Sequence, residues 1–200
     1  MAVRYGASAL GLVSKMPSGP GVISEEQIVD IASHVPPPIA TFLLTSEQDV
    51  DAIIAQQRRC RTNTLQLVDT LVRGSHNDLR QALPGIAIVQ VIHVMGMESV
   101  DEALAVAPHV DAILLDSGNP ALATKELGGT GRCHNWEISR RIRERISIPV
   151  FLAGGLKPGN VRQAVDEVGP FGLDICTGVR TDGHLDKEKL SALFQNVRPE

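Results

Sequence analysis

Seven short segments rich in Val, Ile and Leu, each followed by a stretch with helical spacing, are the feature that most restricts how this chain folds. They cover residues 8–13, 39–44, 64–68, 86–94, 112–117, 149–153 and 172–177. Compact aliphatic runs of this kind suit strands covered on both faces. Helical stretches separate them. Ser24-Glu-Glu-Gln27 reads as a capping box ahead of Ile28, Ile31, Ala32 and Val35. Residues 46–59, 75–83, 99–107 and 135–146 follow, and Pro158 stands near the start of a helix carrying Val161, Ala164, Val165 and Val168. Residues 186–197 close the chain with Leu190, Leu193, Phe194 and Val197 as their apolar stripe. Parallel strands need a crossover between them, and a helix is the usual one. The chain therefore reads as a βα repeat, with no linker or low-complexity tract to divide residues 1–200 into more than one domain.

Two architectures satisfy such a repeat: a doubly wound sheet and a (β/α)8 barrel. A dinucleotide-binding doubly wound sheet places G-x-G-x-x-G after an early strand, and this chain has no such motif. Its glycine-bearing strand ends come late, as Gly154-Gly155 and Gly178, which is where barrels build phosphate sites. If the last segment is strand eight, the first is strand two. Residues 1–6 then read as the end of a helix stopped by Gly6, and strand one has no counterpart in the chain. The bland alternative is a ragged terminus. A barrel short of one strand has two unpaired edges, which favours a homodimer over a monomer.

Composition excludes several partner classes. The formal charge is −4 and no long basic run exists, so nucleic acid is not an expected ligand. No apolar run approaches about 18 residues and no leader is visible, so a cytoplasmic protein without a membrane span is expected. Cys60, Cys133 and Cys176 form neither a disulfide framework nor a zinc pattern. His34, His76, His109 and His184 have no metal-ligand spacing, so neither metal nor cofactor is expected.

The chemistry is carried by the carboxyl half. Asp116 follows the apolar run Ala112-Ile-Leu-Leu115, at the C-terminal end of a barrel strand, where catalytic groups cluster. It reads as a general acid or as the cap of a loop; an acid needs a raised pKa and a substrate lone pair within reach. Gly154 and Gly155, and Gly178 with Val179, offer backbone N–H groups to phosphate oxygens, or simply make tight βα turns. Gly128, Gly129 and Gly131 shape a loop above the same strand ends. Cys176 reads as a small core residue more readily than as a nucleophile, and His93 as either a mouth residue or an inner-layer residue.

Leu114-Leu-Asp116-Ser, Gly128-Gly-Thr-Gly131, Asn135-Trp136, Leu152-Ala-Gly-Gly-Leu-Lys-Pro-Gly-Asn-Val161 and Asp174-Ile-Cys-Thr-Gly-Val179 occur in that order. Together they closely resemble phosphoribosylanthranilate isomerase of tryptophan biosynthesis. Gly6-Ala-Ser-Ala-Leu-Gly11, the loop with Ser18, Val22 and Ser24, and Leu65-Gln66-Leu67 extend the likeness over nearly the whole chain. The resemblance implies a cofactor-free (β/α)8 barrel of the phosphate-binding type. Its activity would be an aldose–ketose isomerisation, an intramolecular oxidoreduction of N-(5'-phosphoribosyl)anthranilate by Amadori rearrangement. The family's general acid falls on Asp116. Its general base, a cysteine ending strand one, has no counterpart, because that strand would lie before Met1. The chain is therefore expected to bind a phosphorylated sugar and to turn it over slowly.

The departures from the family pattern lie at the aromatic end. The second-strand loop, Lys15-Met-Pro-Ser18-Gly-Pro-Gly21, lacks the family's arginine; Lys15 would replace it as a point charge without a bidentate fork. Val68-Asp69 stand where the family has histidine and glycine, His134-Asn135 where it has phenylalanine and aspartate, and Arg180 where it has glutamate. Two further readings follow: another phosphosugar-barrel enzyme, an epimerase or a synthase, or a non-catalytic relative that binds a phosphometabolite.

Overall fold

The computed structural model describes residues 1–129 and 131–197, so Thr130 of the glycine loop and residues 198–200 lie outside the described residues. A short helix α1 (Ala2–Tyr5) ends at Gly6, whose φ of 114° forms a left-handed cap. Then come β1 (Ala9–Val13), α2 (Glu25–His34), β2 (Ala40–Thr45), α3 (Val50–Cys60), β3 (Thr64–Leu67), α4 (His76–Ala82), β4 (Ala87–His93) and α5 (Glu98–Val106). The carboxyl half adds β5 (Ala112–Asp116), α6 (Trp136–Arg145), β6 (Val150–Leu152), α7 (Val161–Val168), β7 (Gly172–Leu173), the hairpin β8 (Arg180–Thr181) and β9 (His184–Leu185), and α8 (Lys187–Val197).

The seven main strands form one parallel sheet in the order β1-β2-β3-β4-β5-β6-β7. The order never reverses, so there is no topological switch point and the doubly wound alternative is excluded. The sheet curls. Phe42 of β2 meets Phe151 of β6 edge to face at 6.1 Å, although three strands lie between them. Phe171 packs on Phe151 in the same way at 5.7 Å, near the N-terminal end of β7. This is a (β/α)8 barrel represented by seven strands, and β1 and β7 each keep one unpaired edge among the described residues.

Alternation along each strand sorts side chains into two cores. Leu65, Leu67, Ile88, Ile92, Ile113 and Leu115 face the helices and pack with Ile28, Ile53 and Ile142. Val89, Val91, Leu114 and Phe151 face the lumen with Phe42, Leu44 and Val68. The same parity sends Leu173 and Ile175 toward the helices, so Asp174 and Cys176 take the lumen side.

Local chemistry explains most boundaries. Ser24 and Gln27 form the expected capping box, with Gln27 N donating to Ser24 Oγ at 3.3 Å and Ser24 N to Gln27 Oε1 at 3.0 Å. Helix α3 starts later than residue 46, because Asp49 is its cap and accepts from Asp51 N and Ala52 N. The last strand is much shorter than residues 172–177. After Leu173 the chain leaves the ladder, and Thr177–Val179 form a single 3-10 turn. The β8–β9 hairpin has no counterpart among the sequence expectations. Its signal was the pair Asp182-Gly183, whose φ values of 50° and 77° suit a tight hairpin turn.

Candidate active site

The C-terminal ends of the strands open into one cavity lined, among others, by Leu44, Gln66, Val91, Leu114, Asp116 and Asp174. Asp116 is the last residue of β5 and is 6% exposed. Parity points it into the lumen with Leu114. Burial raises its pKa above the ordinary carboxylate value; the Ser117 backbone N–H and the charge of His93 oppose this more weakly. Gly128 holds the covering loop close: its φ is 139°, and a Cβ there would lie 2.9 Å from Asp116 Oδ2. His93 is the register partner of Asp116 on β4. It is buried, its Nε2 pairs with Val68 O at 2.9 Å, and its Nδ1 has no partner. Gly118 passes directly over that nitrogen, since a Cβ there would lie 2.3 Å away.

Residues 118–129 form a cover across the mouth. Asn119 and Glu126 exchange backbone hydrogen bonds of 2.8 and 3.1 Å. Ser18 donates to Lys125 O at 2.6 Å, tying the cover to the loop after β1. Lys125 Nζ pairs with buried Asp69 at 2.5 Å, and Pro20 lies against Gly129. Of the Val68-Asp69 departure, Asp69 thus anchors the cover, while Val68 lines the cavity. Lys15 is exposed and does not line the cavity, while Ser18 does.

The glycine turns after β6 and β7 border the same cavity as Asp116. Gly154 and Gly155 have φ of 80° and 63°. A Cβ on Gly155 would lie 2.5 Å from the Arg132 carbonyl carbon. Gly131, Gly155, Gly178, Thr177, Lys157 and Lys189 surround a shallow annex of the cavity. Gly178 approaches the Leu156 carbonyl so closely that a Cβ would stand 1.8 Å from its oxygen. Val179 is buried, with its side chain in the cluster beneath α8 formed by Leu190 and Leu193. Of the glycines singled out from sequence, Gly128, Gly129, Gly131, Gly154 and Gly155 line the main cavity and Gly178 the annex.

Asp174, Thr177 and Arg180 are among the cavity residues that the sequence reading did not name as site residues. Only the tertiary fold reveals them, although Asp174 opens a motif already noted. Water reaches the Asp174 side chain within the cavity, but protein crowds it on the longer scale that governs charge solvation. That crowding, and then the charge of Asp116, push its pKa up to about 6. Cys176 is half-buried in the cavity wall, and burial raises its thiol pKa. Cys60 is buried at the end of α3 and its thiol is pushed up to about 11. Cys133 is exposed, with its Sγ 3.4 Å from Asn160 Nδ2.

His134 closes the wall behind Gly154. Its Nε2 is 2.6 Å from Ser139 Oγ, its Nδ1 is buried without a partner, and burial lowers its pKa to about 4. A folded pKa below the unfolded value of 6.5 means that stability is full above pH 6.5 and is lost as pH falls toward 4. His134→Phe is therefore expected to lose less melting temperature than the unaltered chain between pH 7 and pH 4.5. Equal losses in parallel thermal melts would refute the buried neutral state.

The comparisons with known proteins follow this geometry. The family model described as N-(5'-phosphoribosyl)anthranilate (PRA) isomerase matches residues 4–196. The N-(5'-phosphoribosyl)anthranilate isomerase 2 of Methanosarcina mazei is 33% identical over 192 residues, covering 95% of this chain and 84% of that protein. The isomerase of Haloferax volcanii is 34% identical over 179 residues, covering 89% and 77%. The crystal structure of phosphoribosyl anthranilate isomerase from Thermotoga maritima superposes with a TM-score of 0.79 at 27% identity, covering 98% of this chain and 90% of that one. A family enzyme in complex with reduced 1-(o-carboxyphenylamino)-1-deoxyribulose 5-phosphate superposes at 0.76 and 25% identity, covering 98% and 89%. The matched span takes in the whole cavity, from Gly11 of β1 to Arg180, and the chain belongs to the N-(5'-phosphoribosyl)anthranilate isomerase family.

Proposed function

We propose that the protein isomerises N-(5'-phosphoribosyl)anthranilate to the 1-deoxyribulose form, an Amadori rearrangement that serves tryptophan biosynthesis. The observation that carries this reading is Asp116. It is a buried carboxyl group with a raised pKa, at a strand end beneath a glycine loop and next to a glycine-walled anion cradle. The substrate phosphate sits at Gly155 and Gly178, near the side chains of Lys157 and Lys189. The ribose then lies over the lumen under the cover formed by Gly128 and Gly129. Protonated Asp116 gives its proton to the ring oxygen as the C1–O bond breaks, and the anthranilate nitrogen lone pair forms the C1–N double bond. Loss of the C2 proton and tautomerisation yield the ketose.

The aromatic end supports a second reading, a phosphosugar enzyme with another aglycone: Lys15 is exposed, and Asp69 is occupied by Lys125. The test is to incubate the chain with N-(5'-phosphoribosyl)anthranilate and follow product fluorescence. Turnover above the uncatalysed rate is expected. Tight binding of the reduced product analogue without turnover would favour a non-catalytic binder, and neither binding nor turnover would favour the other aglycone. Residues 1–200 are proposed to act as one barrel unit, and the open edges of β1 and β7 favour a homodimer. Light scattering at the mass of one chain would count against the dimer.

A further inference from the structure

We propose that Gln66 is a substrate-binding residue, whose side-chain amide holds hydroxyl groups of the sugar chain from the wall of the lumen. The inference rests on the isomerase reading above for the nature of the ligand, and deepens it by naming what reads the polyol part.

Gln66 is the third residue of β3, and parity sets it apart from its neighbours. Leu65 and Leu67 pack toward the helices, so Gln66 takes the lumen side. Its register partners are Leu44 of β2 and Val89 of β4. Both belong to the apolar lumen cluster, as does Val68 two residues on. A leucine or valine would continue that surface. The chain carries an amide there instead, 4% exposed and lining the cavity. Its side chain makes no hydrogen bond among the described residues. Nor are its nitrogen and oxygen sealed inside protein, as His93 Nδ1 is; both reach the open space of the cavity.

The contrast is with Gln90 on the adjacent strand, whose parity turns it the other way. Gln90 Nε2 donates to Leu67 O at 3.2 Å and Asp69 O at 3.1 Å, and its Oε1 meets His76 Nε2 at 3.1 Å. Buried Gln57 is likewise spent on Thr62 O at 2.6 Å. Buried polar groups are normally satisfied within the protein, and leaving one unpaired is costly. An amide kept in an apolar wall without a protein partner leaves both its ends to whatever fills the cavity.

The chemistry of the amide selects the group it takes. It is neutral and offers two donors and an acceptor, so it pairs with a hydroxyl in either sense. The charged end of the ligand is served elsewhere, at the annex with Lys157 and Lys189. The remaining polar edge of a pentose phosphate is its hydroxyl groups. The apolar surround makes the contact selective, because a ligand lacking those hydroxyls would bury the amide unpaired.

The test uses the full chain and Gln66→Met, which keeps the length of the side chain and removes its hydrogen bonding. The probes are ribose 5-phosphate, the reduced product analogue and n-pentyl phosphate, which shares the phosphate and a five-carbon chain but bears no hydroxyl on it. Gln66→Met is expected to lose about tenfold in affinity for the first two, with pentyl phosphate bound as before. It should melt no lower than the unaltered chain. An equal loss on pentyl phosphate would mean that Gln66 acts through the shape of the cavity, and unchanged affinity for ribose 5-phosphate would mean that it touches no hydroxyl; either result overturns the proposal. A lower melting temperature with loss of all three ligands makes the amide structural and overturns it too. If Gln66→Met behaves as expected and the unaltered chain does not turn over N-(5'-phosphoribosyl)anthranilate, the isomerase reading falls and the hydroxyl-binding role stands for another sugar phosphate.

Discussion

Asp116→Asn is expected to lower isomerase turnover by about 10²–10⁴-fold while leaving affinity for the reduced product analogue nearly intact. The amide keeps the shape and the backbone setting of the side chain at the end of β5 but has no proton of suitable acidity to give. The substitution also has a second, opposite effect. The folded pKa of Asp116 is raised above its unfolded value of 3.8. Its contribution to stability is therefore full below pH 3.8 and is lost as pH rises through the folded value. At neutral pH the buried carboxylate is a cost that asparagine does not carry. Asp116→Asn should melt higher than the unaltered chain at pH 8, with the difference shrinking toward pH 4. A slower but more stable variant is the signature of a group kept for chemistry at the expense of the fold. Unchanged turnover would remove Asp116 from the acid role. A loss of both turnover and stability at pH 8 would make it a structural cap.

Gly178→Ala is expected to disrupt the fold and the anion cradle together. Its Cβ would stand 1.8 Å from the Leu156 oxygen, a backbone atom that cannot swing aside. The turn after β7 would have to part from the turn after β6, and these are the two arms of the annex. Overpacking of this kind costs about 1–3 kcal/mol, occasionally more. Affinity for a phosphate-bearing ligand should fall at the same time, because N–H groups on both arms must converge on one anion. Gly159→Ala is the matched control: it lines the same annex, but nothing lies within 4 Å of its Cβ. Melting temperature and affinity for ribose 5-phosphate should fall for Gly178→Ala and hold for Gly159→Ala. Identical behaviour of the two variants would sink the argument.

The chain's own order of residues determined the barrel. Aliphatic runs alternating with helical stretches leave little but parallel strands with outer helices, and Ser24-Glu-Glu-Gln27 and Gly6 mark helix ends by chemistry that acts within a few residues. Asp116 was legible for the same reason, since a carboxylate that ends an apolar strand stands out locally. Where local signals competed, sequence reasoning slipped. Ser46 and Asp49 both cap helices well, and the parallel bridge between Asp49 and Arg73 goes with the second. The run 172–177 looks extended throughout, yet the approach of Gly178 to Leu156 goes with a turn after two paired residues.

What only the tertiary structure decided is the company each group keeps. Asp174 and Asp116 are far apart in sequence, and nothing local to either indicates that a curled sheet aims both into one lumen, where the charge of Asp116 helps raise the pKa of Asp174. Asp69 became an anchor because Lys125 arrives from a distant loop. Lys15 stayed in water while Ser18, three residues on, tied down the cover. His134 sits in a polar-looking stretch but is buried behind Gly154, where burial keeps it neutral. Secondary structure follows from forces that act over a few residues. Proton affinity follows from solvation and charge over several ångströms of packed protein, and those distances exist only once the chain has closed on itself.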